Sequence, residues 1–154
     1  MAAHTDNSVV INAPVDFVWE RMMDVENWPN LFSEYAKAEV LKQEGDRIEF
    51  RLTTHPDPEY DGQVWSWVSE RTADPATRTS KSRRIETGPF EYMNIEWSFE
   101  EVDGGTSMRW VQDFSMKPTA PAKDDEAEEY MNRNTKTQMA VIKERLEEAA
   151  AASA

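Results

Sequence analysis

The chain contains no cysteine. That excludes disulfides, thiolate metal sites and cysteine nucleophiles together, and it fits a cytoplasmic protein. Histidine is nearly as scarce. His4 lies near the N-terminus and His55 in a loop, neither beside a nucleophile nor in metal-ligand spacing. There are five glycines, and Gly104-Gly105 reads as a turn, so no glycine-rich phosphate loop and no nicotinamide or flavin fingerprint is present. No run of 18 apolar residues occurs, so no membrane span is expected. Met1 to Asn7 lacks the basic and apolar regions of a signal peptide. Cations are outnumbered, with 17 Lys and Arg against 30 Asp and Glu and a net charge of −13. That balance argues against nucleic acid, which needs a basic face. No metal and no cofactor is expected, so any catalysis must use Tyr, Arg, Gln, Ser and shape.

What is present is aromatic. Six tryptophans occur among 154 residues, a length that suits one domain spanning residues 1–154 with a real core. The segment Gln63 to Arg71 reads as a strand, whose side chains alternate between two faces. Trp65, Trp67, Ser69 and Arg71 share one face. It is too polar for a plain core and suits a wall facing something flat and oxygen-rich.

The remaining pattern is one of sequential strands between helices. Val9-Val10-Ile11 reads as a strand, and Pro14 opens a helix carrying Val15, Val18, Trp19, Met22 and Met23 at helical spacing. A short second helix is expected over Trp28 to Phe32. Strands follow over 36–43, 47–54, the Trp65 segment, 78–86, 90–102 and 106–116, with a hairpin turn at Asp103-Gly104-Gly105. The loop His55 to Gly62 cannot be strand interior, because Pro56 and Pro58 donate no ladder hydrogen bond. From about Lys123 to Ala151 the chain is helical, with Gln138, Met139, Ile142 and Leu146 on one stripe. Sequential hairpins imply a curved antiparallel sheet of about seven strands. A long final helix must cover its apolar face. The expected class is α+β with helix-grip architecture, like Bet v 1 and START domains, two short helices and an interior pocket.

Such a hollow needs polar lining. A dry apolar pocket of about 300 Å³ would cost about 7 kcal/mol at ~24 cal/mol per Å³, against a domain stability of about 5–15 kcal/mol. Mixed Trp, Arg, Ser and Gln faces answer that need. Any single tryptophan could simply fill core, but Arg71 and Gln112 recur beside them, and a buried guanidinium must meet water, a carboxylate or a ligand oxygen. Two charged runs stand apart. Arg78, Lys81, Arg83 and Arg84 read as a solvated strand and turn, or as a docking spot for an acidic partner. Asp124 to Glu129 reads as an acidic helix start.

Several long strings carry a family resemblance: Thr5-Asp6-Asn7-Ser8, Asn12-Ala13-Pro14, Trp28-Pro29, Leu31-Phe32-Ser33-Glu34-Tyr35-Ala36, Val64-Trp65, Trp67-Val68-Ser69, Glu86-Thr87-Gly88-Pro89-Phe90, Tyr92-Met93-Asn94, Met108-Arg109-Trp110-Val111-Gln112 and Met116-Lys117-Pro118. The chain resembles the monodomain aromatase/cyclases of bacterial type II polyketide synthases, of the tetracenomycin and spore-pigment type. The resemblance implies regiospecific aldol cyclisation and aromatisation of the first ring, between carbons nine and fourteen, of a poly-β-ketone. It implies an acyl carrier protein as partner, contact with the ketosynthase complex, and action as a monomer. By the same resemblance Arg71 and Tyr35 are the catalytic pair, and Trp28, Phe32, Trp65, Trp67, Ser69, Arg84, Phe90, Met93, Trp97, Trp110, Gln112 and Gln138 bind substrate. Gln138 replaces an asparagine of the tetracenomycin-type enzyme, and the Pro56–Gly62 loop is two residues longer. The rival reading is a non-catalytic helix-grip carrier or sensor of an aromatic ligand, since fold alone does not decide function.

Overall fold

A computed structural model describes residues 2–57 and 61–153. Positions 58–60 of the predicted Pro56–Gly62 loop lie outside the described residues. Among those described, the order is β1 (Ala3–Ile11), α1 (Val15–Met23), a 3-10 turn (Val25–Asn27), α2 (Trp28–Leu31), β2 (Tyr35–Glu44), β3 (Arg47–Thr54), β4 (Ser66–Asp74), β5 (Thr79–Arg84), β6 (Phe90–Val102), β7 (Gly105–Met116) and α3 (Asp124–Ser153). The strands form one antiparallel sheet ordered β1-β7-β6-β5-β4-β3-β2. This is the predicted helix-grip class: β2 to β7 follow one another as a meander, and β1 returns beside β7. α3 lies along β1 and also meets α2 and β7. No helix among the described residues is long and apolar enough to cross a membrane.

Element boundaries differ from the sequence expectation where backbone pairing outweighs composition. β1 starts at Ala3 rather than Val9. Its polar first half carries no apolar signal, yet every residue from Ala3 to Ile11 finds a register partner on β7. α2 stops at Leu31, and Phe32 is extended at φ −104°, ψ 139°. β5 is shorter than 78–86. Arg78 takes φ 51°, and the N–H groups of Ile85 and Glu86 both donate to the Val68 carbonyl, at 2.8 and 3.0 Å, which ends the regular ladder. Trp65 lies just before β4, held by its own N–H to Thr54 Oγ1 at 2.9 Å.

The interior divides into two apolar clusters. The larger joins Ile11, Val18, Met22, Trp28, Phe32, Phe50, Trp97, Trp110, Ile142 and Leu146 with their neighbours. The smaller joins Ala3, Phe90, Met93, Phe114 and Ala127. α1 contributes Val15, Val18 and Met22, spaced three and four apart so that they share one face. The basic run of β5 does not form one face. Arg78 donates to Asp16 at 2.7 Å, Lys81 pairs with Glu96, Arg83 bonds Glu70, and Arg84 turns inward.

The β6–β7 hairpin is positioned by a close approach at Gly105. A Cβ built there would stand 2.1 Å from the Ile11 carbonyl oxygen, which is backbone and cannot swing away. Gly105→Ala is expected to destabilise the protein by about 1–3 kcal/mol, read as a lowered denaturant midpoint with an unchanged slope.

Candidate functional site

The inner face of the sheet can be read as cross-strand rows. In one row Asn7, Trp110, Trp97, Ser80 and Ala73 are successive register partners. In the next stand Thr5, Gln112, Ile95, Ser82, Arg71 and Ile48. Arg84 opposes the buried Ser69, which opposes Phe50. β5 thus presents only Ser80, Ser82 and Arg84 to the interior. Two short hydroxyl side chains thus stand at the middle of a seven-stranded sheet, with Trp97 and Ile95 on the β6 side and Ala73 and Arg71 on the β4 side.

The aromatic rings meet one another. Trp28 packs against Phe32, Tyr35, Phe50 and Trp97, with centroids 5.2, 6.1, 5.4 and 5.3 Å away. Phe32 lies 4.9 Å from Tyr35 and is stacked on Trp110 at 5.8 Å. Trp97 and Trp110 are stacked at 5.0 Å and 9°. The sequence expectation was that these side chains line open space. Their mutual contact follows from the favourable energy of aromatic pairs at such separations. The predicted lining residues Trp28, Phe32, Trp97 and Trp110 therefore form one cluster. Trp67 reaches it edge-on through Tyr35, at 6.2 Å. Phe90 and Met93 belong to the second cluster, and Trp65 stands half-exposed beside the loop.

The two predicted catalytic residues have different surroundings. Arg71 is 6% exposed. Its Nη1 donates to the Met23 carbonyl at the end of α1, at 3.0 Å, and its Nε has no partner. Burial pulls its pKa down to about 10, with Asp46 acting in the opposite direction. Tyr35 lies instead beside Glu34 and Arg84. Burial raises the Tyr35 phenol well above its ordinary value, and the neighbouring Glu34 charge adds to that rise. The phenol is thus fully protonated at neutral pH. It is the charge of Arg84 that opposes the rise, in the place the sequence reading gave to Arg71. The Arg84 guanidinium is sandwiched, 4.1 Å from the Trp67 ring centre and 4.8 Å from that of Phe90. Burial lowers its pKa to about 10.

Glu34 is the acid that sequence reasoning missed. Asn134 Nδ2 of α3 donates to its Oε2 at 3.0 Å, and the Tyr35 phenol is near enough for each group to affect the other's ionisation. Burial nevertheless lifts its pKa above the ordinary carboxylate range, against the lowering effects of Asn134, Tyr35 and Arg84. Glu34 stood in full view as a lone acid in an aromatic segment, but strand parity assigns it away from Tyr35. Glu34 stands in a bend just before β2, where strand alternation does not apply.

The two glutamines act as braces. Gln138 Oε1 accepts from the Ser33 N–H at 2.9 Å and its Nε2 donates to Ser33 Oγ at 2.9 Å. It ties α3 to the segment that carries Glu34 and Tyr35. Gln112 Oε1 accepts from both Thr5 Oγ1 at 2.7 Å and Thr135 Oγ1 at 3.0 Å, joining β1, β7 and α3. A groove of about 430 Å³ is lined by Arg47, Glu70, Arg83 and Tyr92, and also by Arg84 and Met93. Arg47 and Arg83 both bond Glu70 there, so its charges largely offset one another.

Comparison with known proteins places this arrangement. A family model described as "Polyketide cyclase / dehydrase and lipid transport" matches residues 11–141. The chain belongs to that family. A candidate polyketide cyclase of Streptomyces cyaneus is 56% identical over 148 residues, covering 96% of both chains. The Zhui aromatase/cyclase of Streptomyces sp. R1128 superposes with a TM-score of 0.80 at 24% identity, over 97% of this chain and 94% of that one. A START superfamily protein of Mycobacterium smegmatis superposes at 0.72 and 14% identity, over 98% and 99% of the two chains. The last two likenesses show the fold alone.

For a member of this polyketide cyclase family, Arg71 is a costly residue to bury with one hydrogen bond. A role in stability would make Arg71→Met harmful. The expected outcome is an unchanged or raised Tm by calorimetry, because an apolar side chain of similar length removes a charge that the fold incompletely solvates.

Proposed function

We propose that this protein is a polyketide aromatase/cyclase acting on a poly-β-ketone tethered to an acyl carrier protein. It directs aldol closure of the first ring, between carbons nine and fourteen, and the dehydration that makes the ring aromatic. The reading is carried by one observation: Tyr35 and Arg84 both lie against Trp67 at the edge of the tryptophan cluster, with Glu34 next to Tyr35 in the chain, so that an acid, a phenol and a cation act on one another's charge.

The chemistry assigns each a task. Glu34, as the carboxylate, removes a proton from the carbon between two ketones. Arg84 holds the enolate oxygen as its charge develops. The enolate carbon then bonds to a distant carbonyl carbon, and the new alkoxide takes the Tyr35 proton. Tyr35 recovers that proton from the neighbouring Glu34, so no net proton is consumed. Glu34 then removes a second carbon-bound proton while Tyr35 protonates the departing hydroxyl, which leaves as water; Glu34 returns its proton to Tyr35, and enolisation of the ring ketones makes the ring aromatic. Arg71, deeper under α1, anchors a further ketone and selects one fold of the chain. Orientation effects of that kind supply up to about 7–11 kcal/mol. The aromatic walls favour planar conformers. No step requires a cofactor.

Reconstitution with a minimal polyketide synthase tests the reading through its products. The wild-type protein should convert a mixture of spontaneously cyclised polyketides into one ring pattern. Arg71→Ala should stay folded and return the mixture. An unchanged product ratio would remove Arg71 from the mechanism, and wild-type protein without effect would favour a carrier.

Glu34→Gln is expected to slow ring formation by about 10²–10⁴-fold. Its pH dependence has a definite sign. Activity needs the carboxylate, so it falls as pH drops through a pKa held above the usual carboxylate range. Stability moves the other way. The folded carboxyl holds its proton more tightly than the unfolded one, so stability is lost as pH rises through that same window. The glutamine variant removes both dependences, which initial rates and Tm measured across pH would reveal.

A further inference from the structure

Three buried side-chain nitrogens of the described residues have no hydrogen-bond partner: Trp97 Nε1, Trp110 Nε1 and Arg71 Nε. All three belong to residues at least nine-tenths buried. All three are donors. Among the described residues no buried side-chain oxygen is left in the same condition, and the oxygens of Gln112, Gln138 and Met23 are occupied. Gln112 Oε1 takes two hydroxyl donors, Gln138 Oε1 takes the Ser33 N–H, and the Met23 carbonyl takes Arg71 Nη1. By contrast Trp28, in the same cluster, donates its indole N–H to the Met22 carbonyl at 2.9 Å. The shortfall is therefore confined to one region of the sheet. Trp97 and Trp110 are direct register partners, and Arg71 is separated from Trp97 by β5, which shows only Ser80 and Ser82 between them.

Burying an unpaired donor costs roughly 1–3 kcal/mol, and such groups in a native fold call for an explanation. The sign of the shortfall restricts the chemistry of the occupant. Water brings hydrogens of its own, and with the Gln112, Gln138 and Met23 oxygens engaged these are left to serine hydroxyls such as Ser80 and Ser82, which are donors themselves. A hydroxyl group has the same fault. A ketone brings lone pairs and no hydrogen.

We infer that Trp97, Trp110 and Arg71 form a donor-rich subsite that reads ketone oxygens, and that it prefers a 1,3-diketone to the same skeleton bearing hydroxyls. This deepens the polyketide reading above by giving two tryptophans a polar task besides their walls. It also supplies a direction for turnover. Aromatisation replaces ketones by phenolic hydroxyls, so the product is held less tightly than the chain that entered.

The test needs no turnover and is therefore separable from the cyclase assay. Calorimetric titration would compare three probes on one carbon skeleton: an aryl 1,3-diketone with a dimethylated central carbon, which has no proton between its ketones, the corresponding 1,3-diol, and butylbenzene carrying the same two methyl groups. Wild-type protein should bind the diketone at least about tenfold more tightly than either other probe, the ratio expected for one recovered hydrogen bond of about 1.4 kcal/mol. Trp97→Phe/Trp110→Phe should lose that preference while binding butylbenzene as before. Its Tm should hold or rise, since two unpaired donors are gone. Equal loss of all three probes would overturn the proposal, because the tryptophans would then act by area alone. So would a diol bound as tightly as the diketone, or a diketone preference that survives the double substitution. If the diketone preference appears while reconstituted ring formation does not, the subsite stands and the cyclase reading fails.

Discussion

The indole N–H of Trp28 is held by the Met22 carbonyl, and its ring lies against Phe32, Tyr35, Phe50 and Trp97. Through that one side chain α1, α2, β2, β3 and β6 are joined. Large rings carry much apolar area into a core, and a single long helix has too narrow a stripe to cover seven strands alone. The short helix α2 supplies what α3 cannot reach. Because Trp28 fixes where α2 ends, it also fixes where Phe32 turns extended and where Tyr35 begins β2. The position of the phenol, and of Glu34 beside it, follows from that packing.

Two arginines divide the interior. Arg71 lies toward the α1 end with one carbonyl partner. Arg84 lies between Trp67 and Phe90, where ring faces offset part of the lost hydration of its charge. Neither is neutralised by a close ion pair, and burial lowers both pKa values while leaving the groups charged at neutral pH. A fold that keeps two guanidiniums in such positions is suited to an occupant rich in oxygen. The polar belt of Gln112, Thr135, Gln138 and Asn134 runs between the two apolar clusters. It holds α3 in a single register against the sheet.

Much of this was legible in the chain. Period-two alternation identified the inner faces of β3, β4, β6 and β7, and turn residues separated them. Trp67, Ser69 and Arg71 do share a face, and Trp97, Trp110 and Gln112 stand on the same side of the sheet. Less legible were elements defined by a partner. The polar half of β1 has no apolar signal, and its pairing depends on β7. The basic run of 78–84 looked like one patch. Its side chains go to Asp16, Glu96, Glu70 and the interior, because strand alternation and a left-handed Arg78 send them in different directions.

The sequence by itself determined the class of fold, the family and the inventory of usable groups. Each of these depends on local alternation, on composition and on strings of adjacent residues. Tertiary structure decided which groups act together. Glu34 escapes strand alternation because it stands in the bend before β2, Asn134 reaches it from 100 residues away, and Gln138 is engaged by Ser33 from 105. Hydrogen-bond saturation is likewise invisible along the chain. Whether an indole N–H has a partner depends on every atom that the folded chain brings near it, so the contrast between Trp28 and the Trp97–Trp110 pair arises only on folding.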